Sequence, residues 1–258
     1  MYAFAVLMLG FLLLPLLVIV PMSFTSGTSL VFPTPGWSLR WYRELVADPR
    51  WFASFWTSMV IALSTTALSC LLGIPAAIGL AWGTFPGKRL LYVLVMTPLV
   101  MPVVIVGVAA FSFFATLGLV GSRISIILVH TAMAVPVMVT TVVASLASFD
   151  RTLIRAAASL GAGRMRTFFK VLLPLIAPGV VTGAIISFII SFDEVVVASF
   201  LSVASERTLP RMIFSGVRES VSPAIASVAV LLILFSALLL GAIGWLQSRS
   251  ERLRRSAA

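Results

Sequence analysis

Charged residues are scarce in this chain of 258 residues: Asp, Glu, Lys and Arg together make up 10% of it, whereas about 25% is usual for a soluble domain. Hydrophobic residues account for 60%. A composition this apolar excludes an ordinary soluble domain and predicts an integral membrane protein. Since no segment between the apolar stretches has the composition of a soluble domain, we expect one membrane domain over residues 1–258.

Cysteine and histidine each occur once, as Cys70 and His130. One cysteine cannot form an intrachain disulfide, and the chain lacks a metal-ligand pattern, so no metal site is predicted. A Ser/His or metal-based catalytic set is missing too, and we expect no catalysis by this chain. His130 lies in an apolar stretch, where a structural role with a hydrogen bond is the favoured interpretation.

Two further patterns are missing. The chain has no Gly-x-x-x-x-Gly-Lys-Ser/Thr loop to cradle the phosphates of ATP. It also has no Lys/Arg-rich tract interleaved with aromatic residues, so nucleic-acid binding is not supported.

Long apolar stretches are what the chain has instead. A helix needs about 20 apolar residues to cross a bilayer, and six stretches are too long and too uniformly apolar for the strands of a β-barrel. We therefore predict an all-α integral membrane protein with six transmembrane helices, the third of them bent because Pro98 and Pro102 lie one turn apart. The first stretch lacks a basic region and a cleavage site, so we expect it to stay as a membrane helix. The predicted spans are residues 3–24, 55–82, 90–117, 124–149, 173–200 and 224–246.

The distribution of Lys and Arg predicts the orientation. Six spans place both termini on one side, which then carries 11 of the 18 basic residues. The opposite side carries the other seven together with four acidic residues. Because cytoplasmic loops are enriched in Lys and Arg, we predict that both termini and the loop 150–172 are cytoplasmic.

This loop has the pattern of a short helix followed by a tight turn. Asp150 is a good N-cap for a helix over 151–160, three alanines at 156–158 favour that helix, and Gly161 is a plausible residue to end it. A second helix is predicted to start at Arg164. The small alanine side chains would let a partner approach closely. An amphipathic connector lying near anionic lipid is the alternative interpretation.

Asp193 and Glu194 are the only acidic residues within a predicted span. Ionisable groups in a bilayer are costly and usually face a bundle interior or a water-filled path. Helical spacing would align Glu194 with Ser187 and Ser191, so we favour Glu194 as a path-lining residue and expect Asp193 to need a partner elsewhere. Attraction of a cationic substrate and a structural pair at the outer interface are both open interpretations.

The loop also resembles a known sequence pattern. Its residues have the spacing of the EAA loop of bacterial ABC-type importer permeases, with Val171 for Ile and Arg155 for Glu, and the second difference reverses a charge. Residues 192–200, placed after this loop, resemble the spermidine/putrescine branch of these permeases, its second permease subunit in particular. The positions that match the loop pattern are Arg155, Ala156, Ala157, Gly161, Val171, Leu173 and Pro174.

The resemblance implies a type I importer bundle in a bacterial inner membrane, with a coupling helix in the 150–172 loop. Two cytoplasmic subunits would bind ATP and Mg²⁺ and receive this helix in a cleft. A second homologous permease and an external solute-binding protein would complete the importer. The implied solute is a polyamine or related small amine; an amino-acid-like solute and an organic amine or phosphonate are alternatives. An ion-coupled secondary transporter would need inverted repeats, and no convincing repeat is present.

Overall fold

The computed structural model describes residues 2–203, 206–219 and 222–255, and in the last helix it describes no side chain beyond Leu238. Met1 and residues 256–258, which belong to the predicted domain, lie outside the described residues. Within the described ranges the chain is helical, apart from loops and one isolated bridge between Thr25 and Trp37. The helices are α1 Tyr2–Ser23, α2 Arg40–Ala47, α3 Pro49–Trp82, α4 Lys88–Val100, α5 Val103–Thr116, α6 Arg123–Ala147, α7 Thr152–Ser159, α8 Arg164–Thr167, α9 Leu173–Asp193, α10 Val196–Leu201, α11 Leu209–Glu219 and α12 Pro223–Arg255, with a π-helical turn at Phe168–Leu172 between α8 and α9.

Four helical segments are long and apolar enough to cross a membrane, and a fifth span results if α4 and α5 are taken together. The sixth predicted span lies in α12, whose described apolar part, Pro223–Leu238, is shorter than a spanning helix. The all-α prediction is confirmed, whereas the number six stays a prediction. The four segments are Phe4–Ser23, Pro49–Trp82, Arg123–Ala147 and Arg164–Asp193.

The third predicted span is divided in two. Helices α4 and α5 meet at an angle of 105°, and the break falls at Met101, whose ψ of 134° is extended. Pro102 explains this position, because a proline ring disfavours the helical conformation of the residue before it. Residues 90–117 are therefore bent, as Pro98 and Pro102 predict, and do not form one continuous helix.

The fifth predicted span continues from the helix that was predicted to start at Arg164, and it ends earlier than expected. The helix begins at Arg164 and runs through the π turn into α9 as one segment of 30 residues. Pro174 has no N–H to donate to the preceding turn, and a π turn is one way for a helix to accommodate such a defect. At the far end α9 stops at Asp193, and Glu194 is extended, with a ψ of 120°. The prediction of a continuous helix over 173–200 is wrong.

The chain divides into two compact units. The first comprises Met1–Trp56 and Thr208–Gly244. In it the Ser227 hydroxyl donates a 3.0 Å hydrogen bond to the Ser23 carbonyl at the end of α1, and Nε1 of Trp41 in α2 donates to the Gly27 carbonyl at 3.2 Å. These bonds tie the loop after α1 and the start of α12 to the same unit.

The second unit, Thr57–Arg207 with Trp245–Ala258, contains all the predicted site residues. Its central feature is the pair α6 and α9, which approach closely because α9 presents glycines. A methyl group added at Gly183 would lie 2.8 Å from Sδ of Met138 in α6. Small residues allow such close approach between membrane helices.

Helix α10 is anchored in the second unit by its apolar side chains. Val197, Ala198 and Leu201 are fully buried, and Val197 and Leu201 share a cluster with Phe114 of α5 and Ile126 of α6. The short helix after the break at Glu194 is therefore a packed part of the unit. Its fixed position determines the path of the backbone between α9 and α10.

Candidate functional site

The first candidate region is the loop between α6 and the long α8–α9 segment. The carboxylate of Asp150 accepts hydrogen bonds from the Thr152 backbone N–H at 2.8 Å and from the Thr152 hydroxyl at 2.6 Å. These bonds, the hydroxyl one foremost, lower the pKa of the Asp150 carboxyl below its ordinary value. Asp150 thus stabilises the start of α7, which begins at Thr152, one residue later than predicted.

The end of α7 is a left-handed turn at Gly161. Gly161 has a φ of +79°, its N–H donates to the Ala158 carbonyl at 2.9 Å, and the N–H of Ala162 donates to the Ala157 carbonyl at 3.0 Å. This pair of bonds is the Schellman arrangement, which favours glycine because other residues are strained at positive φ. The prediction that Gly161 ends the loop helix is confirmed.

One face of α7 is apolar and open. Leu153 and Leu160 are 42% and 88% exposed, and helical spacing places Ala156 between them. Ile154 and Ala157 are half-buried. Arg155 lies exposed beside the open face and, among the described residues, takes part in no ion pair. The outward face of α7, defined by Leu153, Arg155, Ala156 and Leu160, therefore combines apolar surface with one positive charge.

The remaining residues of the loop pattern lie on the segment that enters α9. Val171 is half-buried in the π turn, Leu173 is half-buried at the first position of α9, and Pro174 follows it, exposed. They are not part of the outward face of α7. Since Arg164–Asp193 is one helical segment of 30 residues, its length is about 45 Å at 1.5 Å per residue. This segment joins the loop directly to the second candidate region.

The second candidate region is the break after α9. Glu194 does not lie on a helix, so the helical spacing that aligned it with Ser187 and Ser191 does not hold, although both serines are buried. Oε1 of Glu194 accepts N–H bonds from Val196 at 2.8 Å and Val197 at 3.0 Å, and Oε2 accepts one from Ala198 at 3.1 Å. The carboxylate therefore caps α10, as side chains at helix N-termini commonly do.

His130 of α6 completes this arrangement. Its ring is fully buried; Nδ1 lies 2.8 Å from the Ser191 hydroxyl, and Nε2 lies 3.4 Å from Oε2 of Glu194, whose side chain is 7% exposed. The expected hydrogen bond of His130 is confirmed. Its proximity to the acidic residues was not predicted, although one signal was available: the sole histidine and the only two acids of the predicted spans all lie in apolar stretches.

Asp193 differs from Glu194 in its surroundings. It is exposed at the last residue of α9, and no ion pair involves it among the described residues. Ser187, one turn before Ser191, is buried, and its hydroxyl has no hydrogen-bond partner within the described part of the chain. The structure thus brings Ser191, Glu194 and His130 together and leaves the Asp193 carboxylate outside that cluster.

A broken apolar span, an exposed loop helix and a buried carboxylate at a helix break are consistent with a transport protein, and sequence comparison defines the class. Residues 69–255 match the family described as binding-protein-dependent transport system inner membrane component. The chain belongs to this family and is a permease subunit of an importer.

Two relatives are similar over nearly their whole length. The putrescine transport system permease protein PotI of Escherichia coli (strain K12) is 35% identical over 259 residues, which cover 96% of this chain and 92% of PotI. The spermidine/putrescine transport system permease protein PotC of Haemophilus influenzae is 30% identical over 234 residues, or 91% of each chain.

Solved structures agree on the fold. A chain of a bacterial ABC transporter involved in the import of the acidic polysaccharide alginate superposes with a TM-score of 0.74 at 19% identity, covering 94% of both chains. The MetNI methionine ABC transporter, in an inward-facing form, gives a TM-score of 0.57 at 22% identity and covers 80% of this chain. At these identities the likeness concerns the fold.

Proposed function

We propose that this chain forms half of the path by which an ATP-driven importer carries a small cationic solute, a polyamine such as putrescine, across the bacterial inner membrane. The names of the two relatives, both transporters of putrescine or spermidine, support this solute class. An acidic residue exposed within a membrane segment supports a cationic solute independently. The single observation that carries the proposal is the exposed carboxylate of Asp193.

Asp193 is the better candidate for contact with the solute. The oxygens of Glu194 already accept three backbone N–H bonds and face His130, so they have little capacity for another cation. Asp193 is exposed and outside this cluster. Since a charged side chain in a membrane segment is costly against lipid and usually faces a cavity, we assign its carboxylate to a water-filled path. Ser191 and Ser187 support the wall of that path from within.

The outward face of α7 is the proposed docking surface for a cytoplasmic ATP-hydrolysing subunit. The small side chain of Ala156 allows a groove of the partner to approach the helix closely, and Leu153 and Leu160 supply apolar contact. The positive charge of Arg155 would be complemented by an acidic group on the partner. Two such subunits, which bind ATP and Mg²⁺, a second homologous permease and an external solute-binding protein complete the proposed importer. Both termini and the 150–172 loop are then cytoplasmic, in a bundle of six spans.

The long segment Arg164–Asp193 suggests how the two regions communicate. When ATP binding closes the partner subunits, they displace α7, and α7 is joined to the start of this segment by the short turn at Gly161. A continuous helix transmits such a displacement to its other end, where Asp193 and Glu194 lie. Movement there would alternate the access of the solute site between the two sides of the membrane.

Uptake of putrescine into proteoliposomes tests the proposal. The complete importer is reconstituted with its binding protein, and ATP is supplied on the cytoplasmic side. We expect uptake that requires ATP and is blocked by vanadate, with a KM for putrescine that rises in Asp193→Asn. Ser199→Ala, an exposed and uncharged position six residues away, is the matched control and should leave KM unchanged. Uptake driven by an ion gradient without ATP would instead support a secondary transporter.

A further inference from the structure

His130 joins three separate parts of the second unit. It belongs to α6, its Nδ1 lies 2.8 Å from Ser191 in the last turn of α9, and its Nε2 lies 3.4 Å from Glu194 beyond the break. An N–H on Nε2 suits the Glu194 carboxylate, which can only accept, while the Ser191 hydroxyl can donate to Nδ1 or accept from it. One buried side chain therefore contacts a side chain from the last turn of α9 and another from the break that follows it.

We propose that His130 is a positioning residue for the solute site: it holds Glu194 in the break after α9 and thereby fixes the direction of the Asp193 carboxylate. This inference rests on the proposed contact between Asp193 and a cationic solute. His130 itself is fully buried and does not touch the solute.

The buried carboxylate of Glu194 explains why a histidine is needed. Its oxygens accept the first N–H groups of α10, but a buried negative charge also requires a compensating group. Among the described residues, His130 is the basic side chain within ion-pair distance of Glu194. Without the imidazole, the carboxylate would lose this partner and move toward water, and the break would lose one of its attachments.

The position of Asp193 follows from the break. Asp193 is the last residue of α9, and the next residue is extended. The direction of the Asp193 carboxylate therefore depends on the backbone at this helix end, which the contacts among His130, Ser191 and Glu194 hold in place. Helix α10 cannot shift freely, because Val197 and Leu201 are buried in the cluster with Phe114. If Glu194 were released, the backbone that moves would therefore be the short segment 193–195, which includes Asp193.

A double-mutant cycle tests whether His130 acts through Asp193. The KM and kcat of ATP-driven putrescine uptake are measured in the reconstituted importer for His130→Leu, Asp193→Asn and the combined variant. Removal of this buried partner of a charged group is expected to raise KM about tenfold in His130→Leu, with kcat changed much less. In the Asp193→Asn background the same substitution should change KM by less than about twofold, since the effects of coupled sites do not add.

Two control substitutions separate positioning from general packing. His130→Gln keeps an amide that can donate and accept, and it should restore most of the affinity for putrescine. Thr131→Val lies next in the same helix, where the hydroxyl donates to the Ile127 carbonyl of α6, and it should leave KM unchanged.

The outcomes distinguish this inference from the proposed function. If Asp193→Asn leaves KM unchanged, the solute contact itself is refuted. If Asp193→Asn raises KM and His130→Leu leaves it unchanged, the positioning role is refuted and the solute contact stands. The same holds if His130→Leu raises KM by the same factor in the wild type and in the Asp193→Asn background. Should His130→Leu fail to assemble, Ser191→Ala takes its place in the same cycle. An unchanged KM in Ser191→Ala would then refute the positioning role.

Discussion

Gly179 of α9 lies directly against Ser145 of α6: a methyl group at position 179 would overlap the serine hydroxyl and lie 2.7 Å from the Thr141 carbonyl. The latter atom belongs to the helix backbone and cannot move aside easily. This contact sets the distance between α9 and α6. It therefore also determines whether His130 of α6 can contact Ser191 and Glu194.

Gly179→Ala is expected to destabilise the permease. Overpacking a tight contact costs about 1–3 kcal/mol, so the unfolding temperature of the purified subunit in detergent should fall. Gly79→Ala in α3 is the matched control, because a methyl group there meets no atom within 4 Å. Equal unfolding temperatures for Gly179→Ala and the wild type would contradict the close helix contact.

Gly161→Asp is expected to uncouple ATP hydrolysis from uptake without unfolding the bundle. A side chain at a φ of +79° is strained, by about 1–2 kcal/mol, and the turn that orients α7 would change. ATP hydrolysis per molecule of solute transported should rise when both are measured in the same proteoliposomes.

The neighbouring Gly163 offers the control for this turn. Its φ of −66° is available to any residue, and a methyl group there meets no atom within 4 Å. Gly163→Ala should therefore transport normally. Normal coupling in Gly161→Asp as well would count against a role of the turn in docking.

Arg155→Glu is expected to weaken binding of the ATP-hydrolysing subunit. Arg155 is exposed beside the apolar face of α7, and juxtaposing like charges across an interface is unfavourable. The dissociation constant of that subunit, measured with the permease in nanodiscs, should rise about tenfold at low salt and less at high salt, because salt screens exposed charges. Arg155→Lys keeps the charge and should bind nearly as well as the wild type; unchanged affinity in Arg155→Glu would mean that no acidic group faces this position.

Glu194→Gln and Asp193→Asn are expected to fail in different ways. The carboxylate of Glu194 caps α10 in a buried site, so its amide should lower the stability of the permease by about 1–3 kcal/mol. Asp193 is exposed, and its amide should raise the KM for putrescine while the unfolding temperature stays unchanged. Thermal unfolding and uptake kinetics on the same preparations test both predictions. A loss of stability in Asp193→Asn but not in Glu194→Gln would contradict the structural role of Glu194 and the solute-binding role of Asp193.

Local chemistry made much of the fold predictable. The bend near Pro98 and Pro102 follows from what a proline does to the residue before it, and the turn at Gly161 follows from its freedom at positive φ. Apolar length placed the first and fourth predicted spans, 3–24 and 124–149, within two residues of the ends of α1 and α6. Each of these features is determined by residues that are close together in the chain, so it can be predicted from the sequence alone.

The break after Asp193 was not predictable in the same way. The residues 192–200 are apolar enough to continue a helix, and the helix stops because the Glu194 carboxylate binds the N–H groups that follow it. The partner that completes this arrangement is His130, 61 residues before Ser191 in the chain. Contacts at that separation arise from helix packing, and the helical spacing of one segment cannot reveal them.

Photocrosslinking from position 160 tests the central claim most directly, because Leu160 belongs to the face assigned to docking and is 88% exposed. A benzophenone amino acid at 160 is irradiated in membranes that contain the intact importer. The proposed docking predicts a crosslink to the ATP-hydrolysing subunit that changes in yield when ATP and vanadate are added. A crosslink to lipid alone, or to the external solute-binding protein, would contradict it.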